Sequence, residues 1–152
     1  MKQAVLTMGL PASGKSTVVN KLYGHLVTVD CDSIKELHPQ YDRKNPAPVH
    51  AWSKAVMEHM LRICIEDNDS FVYDSTGTDT EHLEKLVSIL HSNGYIVTLL
   101  KVEVSIDTAI SRNKGRDRTV PEHIIHDKFQ KMTEAFNKIS QLVDSHRVIV
   151  NE

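Results

Sequence analysis

Gly9-Leu10-Pro11-Ala12-Ser13-Gly14-Lys15-Ser16 matches the pattern G-x-x-x-x-G-K-[ST], whose chemistry is phosphate binding. Glycines let the main chain curl until several N–H groups point inward at phosphate oxygens. A helix that follows adds its N-terminal donors and the positive end of its dipole. Lys15 supplies a point charge to the β- and γ-phosphates, and the Ser16 hydroxyl coordinates Mg²⁺. Because Gly makes up only ~7% of residues, such a run seldom arises by chance, and ATP with Mg²⁺ are the expected ligands.

Three further groups could act on the γ-phosphate. Asp74 is expected to hold Mg²⁺, directly or through water. Its other role would be a helix cap, which Ser75, Thr76, Thr78 and Asp79 could serve equally well. Asp32 could accept the proton of an attacking hydroxyl as general base. Asp30 competes for that role, and either residue could cap a short helix near Ser33. Arg112, Lys114, Arg116 and Arg118 lie close together next to Gly115 and read as a mobile lid over transferring phosphates, against the plainer reading of a solvated surface. Asp74-Ser75-Thr76-Gly77 superficially matches the D-x-x-G of GTPases. Asn113-Lys114-Gly115-Arg116, however, lacks the aspartate that reads guanine and follows a helix.

The elements that must position these groups alternate. Short apolar runs at 3–8, 26–29, 71–73, 95–104 and 147–150 read as strands. Helical periods are expected over 15–23, 33–37, 49–66, 80–91 and 105–113, and in a last helix opened by Pro121. Trp52, Ala55, Val56, Met60, Ile63 and Cys64 form the expected buried stripe of the third helix. Ile124, Ile125, Phe129, Met132, Phe136 and Ile139 form that of the last. The segment 38–48, with Pro39, Pro46 and Pro48, is a loop. Alternation of this kind predicts an α/β fold, a five-stranded parallel sheet with helices on both faces. Ligands then sit beyond the C-terminal strand ends, where Gly9, Asp32 and Asp74 converge.

Composition sets the limits. The chain has 152 residues, 40% hydrophobic and 25% charged, and reads as a single domain over 1–152. No apolar run approaches a membrane span and no secretory signal is evident. Cys31 and Cys64 lack a partner motif, which suits a reducing, cytoplasmic setting. A net charge of −2 supplies no global field for nucleic acid, so any such binding needs a local patch, to which Arg43, Lys44 and Lys54 could contribute. His123 and His126 could bind a metal but lack a third ligand, and Trp52 could stack a base or pack in the core. No motif marks the adenine site; Asn151 and Glu152, after the fifth strand, are candidates for its edge.

These residues resemble the kinase domain of phage polynucleotide 5′-hydroxyl kinases. The likeness covers most of the chain: the opening strand, the loop Gly9–Thr17 with Pro11 at its third position, Asp32-x-x-Lys35, the strand ending in Asp74, and Arg112–Arg116 followed by Val120-Pro121. It implies a three-layer P-loop kinase fold with a short Arg-rich lid, in the host cytoplasm if phage-encoded. Asp32 would be the general base for a 5′-hydroxyl at a DNA or RNA end. Gly9, Pro11, Ala12, Ser13, Gly14, Lys15, Ser16, Thr17, Arg112 and Arg116 would bind ATP, and Ser16 and Asp74 the metal. Asp32, Lys35 and Asp74 would face the acceptor, Lys35 holding its 3′-side phosphate. The family uses Arg there, and Lys has no bidentate fork. The family's C-terminal phosphatase signature is absent, which implies a stand-alone kinase without 3′-end repair. The alternatives are a small-molecule kinase acting on a nucleoside, sugar or antibiotic hydroxyl, and a non-catalytic nucleotide-binding switch.

Overall fold

In β1 (Gln3–Gly9) the side chains from Ala4 to Met8 are all buried, as a strand covered on both faces requires. A computed structural model, which describes residues 1–116 and 119–152, places this strand at the centre of the sheet. The sheet is parallel, in the order β2 (Val27–Asp30), β3 (Phe71–Asp74), β1, β4 (Ile96–Glu103), β5 (Ser145–Val150). Between the strands run α1 (Lys15–Tyr23), α2 (Cys31–Lys35), α3 (His50–Glu66), α4 (Thr80–Ser92), α5 (Ile106–Lys114) and α6 (Glu122–Ile139). The chain leaves β1 towards β2 and later crosses from β3 to β4, so the strand order reverses beside β1. A cleft forms at the C-terminal ends there.

The two faces are covered unequally. Ala4, Leu6 and Met8 point into the larger core, with residues of α2 to α6 such as Met57, Leu86, Ala109, Met132 and Ile139. Val5, Val72 and Leu100 point the other way, where Val19 of α1 packs with Leu22 and Ile149. One nine-residue helix cannot cover five strands, and most of β5 stays exposed.

The helical periods fall where expected, with local corrections. Strand β2 starts at Val27 rather than Leu26 and runs on to Asp30. Asp30 caps α2, so that helix starts at Cys31 and ends by Lys35. In α3 the buried residues are Ser53, Met57 and Cys64, not the full expected stripe: Trp52, Ala55 and Ile63 are exposed, and Val56 and Met60 half-buried. The helix sits against α2 and β2 rotated by about one residue, with Met57 and Cys64 in the core and Ser53 Oγ 3.2 Å from Cys31 Sγ. Trp52 packs edge-on against His38, outside the core. In α6, Ile125, Met132, Ala135 and Ile139 are buried; Ile124, Phe129 and Phe136 lie at the margin.

Candidate active site

The phosphate loop is shaped by two left-handed residues, Ala12 (φ 65°) and Gly14 (φ 81°). Left-handed positions in a tight loop turn successive N–H groups to one side, an anion-binding concavity. Helix α1 then starts with no side-chain cap and no acid in its first turn. By contrast α2, α4 and α5 are capped by Asp30, Asp79 and Ser105. The first N–H groups of α1 thus have no side-chain cap, as is also the case in α3 and α6, but only at α1 does the phosphate-loop concavity lead into them. Ser13 Oγ is buried beside Gly9 and has no hydrogen-bond partner among the described residues.

Asp74 stands at the floor, only 7% exposed, and is held from two sides. The Thr7 hydroxyl donates to its Oδ1 at 2.5 Å, and Lys15 Nζ approaches the same oxygen at 3.1 Å. Lys15 also donates to the Ser75 carbonyl at 2.8 Å. The lysine is thus paired with the acid at the end of the neighbouring strand β3. Gly77 (φ 81°) brings the 75–79 segment against β1: a Cβ there would sit 2.3 Å from Met8 Cβ. Thr7 carries no sequence signal of its role, since a threonine inside a strand is ordinary.

The two candidate bases have different surroundings. Asp30 accepts from the Asp32 N–H at 3.1 Å and the Ser33 hydroxyl at 2.8 Å, and is paired in register with Asp74. Burial pushes its carboxyl up, the Asp74 charge adds to that, and the Ser33 bond opposes it. Asp30 is a cap. Asp32 projects from the first turn of α2 with its side chain 73% exposed, 4.0 Å from Lys35 Nζ. Both line one cleft of about 1120 Å³, together with the phosphate loop, Lys35, His50, Lys54, Tyr73, Asp74, His82 and Arg116.

On the wall formed by α2 and α3, Lys35 is only 7% exposed. His50 is held below the usual imidazole range by partial burial and then by the Lys35 and Lys54 charges, with Asp32 opposing. In the same cleft the Tyr73 hydroxyl lies 2.9 Å from His82 Nε2, and burial pushes its pKa up to about 12. His50, Tyr73 and His82 were not singled out from the sequence. Only packing brings 50, 73 and 82 to one cleft.

Of the expected lid, Arg116 lines the cleft, and Arg118 falls outside the described residues. Asn113 is buried and bridges the Val120 N–H (2.9 Å) and carbonyl (2.7 Å), fixing the base of that loop. Thr17 and Arg112 are not among the residues lining the cleft; Arg112 instead reaches the Ser13 carbonyl at 3.4 Å. Arg43 and Lys44 are exposed and away from it, while Lys54 borders it. His123 and His126 are exposed, and no group of three or more potential His, Cys, Asp or Glu ligands occurs among the described residues. Mg²⁺ needs no such cage, because it takes one or two protein oxygens plus phosphate and water. The Ser16 hydroxyl and Asp74 carboxylate, hard oxygen donors in one cleft, fit it. No described helix is long and apolar enough to cross a membrane.

A family model described as Zeta toxin matches residues 1–152. No curated protein matches the chain by sequence. Among solved structures, one from the PezAT chromosomal toxin–antitoxin system of Streptococcus pneumoniae is similar at 15% identity and a TM-score of 0.79, over 99% of this chain and 69% of that one. AvrRxo1-ORF1:-ORF2 with ATP aligns at 13% identity and a TM-score of 0.78, over 99% and 55%. The Pnkp1/Rnl/Hen1 RNA repair complex aligns at 14% and 0.74, over 90% and 46%. The chain spans about half the length of the last two. Likeness at such identity is a likeness of fold, and the fold is the expected α/β arrangement of P-loop kinases.

Proposed function

We propose that this chain, which belongs to the Zeta toxin family, transfers the γ-phosphoryl group of ATP to a hydroxyl on a small, phosphate-bearing acceptor. The donor half rests on the phosphate loop. Its uncapped helix and the orphaned Ser13 hydroxyl suit phosphate oxygens. The observation that carries the acceptor half is Lys35, nearly buried in the cleft wall beside Asp32 and grouped with His50 and Lys54. A lysine so covered, with Asp32 Oδ1 4.0 Å from its Nζ, is poised for an anion on the ligand.

In this reading Asp32 takes the hydroxyl proton as the acceptor oxygen attacks the γ-phosphorus. The bond from that phosphorus to the bridging oxygen breaks, and ADP leaves with the electron pair. Lys15 exchanges Asp74 and the Ser75 carbonyl for phosphate oxygens, and Arg116 offsets charge developing on the transferred group. Mg²⁺, held by Ser16 and Asp74, would neutralise the β- and γ-phosphates. Positioning does most of the work, since the transition state needs little covalent help.

A second reading, the 5′-hydroxyl end of a polynucleotide, is favoured by the three-residue spacing of Asp32 and Lys35, with Lys54 and Lys128 further along the same cleft. The net charge of −2 and the acids Asp30, Glu36 and Asp79 along the cleft weigh against a long phosphate backbone. The test offers γ-labelled ATP with 5′-hydroxyl oligonucleotides, nucleotides, sugar phosphates and uncharged sugars. Label on a small phosphorylated compound is expected. Label confined to oligonucleotides selects the second reading, and release of free phosphate alone overturns both.

A further inference from the structure

We infer that Asn151, the first residue after β5, is a positioning residue for the nucleotide's phosphates. It would act by fixing the Ser13–Gly14 peptide plane, not by touching the base. The inference rests on the proposal that the loop binds ATP.

The Asn151 side-chain amide donates to the Ser13 carbonyl at 2.7 Å across 138 positions of sequence. Its nitrogen also packs on Gly14, where a Cβ would lie 2.3 Å away. Arg112 adds a longer bond to the same carbonyl, at 3.4 Å. Neither Asn151 nor Arg112 is among the residues that line the cleft, whereas Ser13 and Gly14 are. The Ser13 carbonyl is thus held from behind the loop. In a trans peptide the carbonyl and the following N–H point in opposite directions. Holding the one outward turns the Gly14 N–H inward, towards the phosphates.

Asn151 is itself anchored. Its N–H donates to the Glu103 carbonyl at 2.8 Å. The next residue, Glu152, accepts from the Ser105 N–H and the Thr108 hydroxyl at the start of α5. These bonds hold the Glu152 carboxyl below its usual range, the Thr108 bond most strongly. The amide is therefore presented from a fixed point on β4 and α5. It acts where the peptide could otherwise rotate, because Gly14 at φ 81° has no side chain to restrain it.

The experiment measures affinities of the wild-type protein and the Asn151→Asp variant for ADP, ATP and inorganic tripolyphosphate by calorimetry. It adds melting temperatures without ligand. Asp keeps the shape but places an acceptor against the Ser13 carbonyl. Expected is a loss of about tenfold or more for all three ligands, tripolyphosphate included, beside a fall of a few degrees in the unliganded melting temperature. Asn151→Ala, which removes the donor without adding charge, is expected to weaken all three ligands by a similar but smaller factor. It also serves if the Asp variant fails to fold. In steady state the KM for ATP rises while that for the acceptor does not. Unchanged tripolyphosphate affinity beside weakened ADP would mean that Asn151 reads the base, and would overturn the inference, as would unchanged affinity for all three. A wild-type protein that binds none of them overturns the nucleotide reading itself.

Discussion

The two sides of the cleft, donor and acceptor in the proposed function, are built differently. On the donor side the groups that would meet a ligand are mostly main-chain N–H groups, set by left-handed residues at 12 and 14 and by the start of α1. On the acceptor side they are side chains from α2, α3, β3 and α4: Asp32, Lys35, His50, Lys54, Tyr73 and His82. Main-chain donors accept any phosphate and are coded by glycines at fixed spacing. Side chains from four separate elements are set only by how those elements pack. The donor side therefore states a chemistry, and the acceptor side a specificity.

The largest expected effect divides the two sides. Asp32→Asn should lower phosphoryl transfer by about 10²–10⁴-fold, the range for loss of a general base, while leaving ADP affinity intact. Full retained turnover would instead move the base to Asp30. Next, the segment that joins β3 to α4 should yield to a single methyl group. Gly77→Ala places a Cβ 2.3 Å from Met8 Cβ, and a loss of about 1–3 kcal/mol in denaturant unfolding is expected. An unchanged midpoint would show that the 75–79 segment can shift without penalty. A smaller effect tests the acceptor wall: Lys35→Ala should raise the acceptor KM about tenfold, roughly 1.4 kcal/mol, without changing the KM for ATP. Equal rises in both would remove the distinction between the walls.

The smallest effect concerns pH. Asp30 has its carboxyl raised by burial and by Asp74 from the ordinary 3.8. The folded state therefore binds that proton more tightly, and stability falls as pH rises from 3.8 through the raised value. Asn keeps the cap, since it too can accept from the Asp32 N–H. Asp30→Asn should melt about one or two degrees higher at pH 7, and the gap should close as the pH is lowered towards 3.8. A gap that widens on acidification would mean that the charged form is the stabilised one.

The sequence was most legible where local chemistry is sufficient. Gly9, Gly14, Lys15 and Ser16 declare a phosphate loop by type and spacing, and Phe71-Val72-Tyr73 before Asp74 declares a buried strand with an acid at its end. It was least legible where a role depends on a neighbour far along the chain. Trp52 sits on what reads as an apolar stripe, yet Ser53 is the buried residue, because helix rotation is set by the packing of α3 against α2 and β2. Asp30 and Asp32 are chemically identical, and only the bonds from the Ser33 hydroxyl and the Asp32 N–H mark Asp30 as the cap and leave Asp32 exposed as the proposed base.

By itself, then, the order of residues determined that strands and helices alternate, that they make a parallel sheet, and that a triphosphate cradle follows the first strand. These depend on periodicity and on glycine conformations, which act over a few residues. Tertiary structure alone decided that Thr7 and Lys15 clamp Asp74, that Lys35 is buried beside His50, and that Asn151 holds the Ser13 carbonyl. Each of these needs groups from separate strands or helices to meet within hydrogen-bond or charge range, and that distance is set by packing rather than by any local signal.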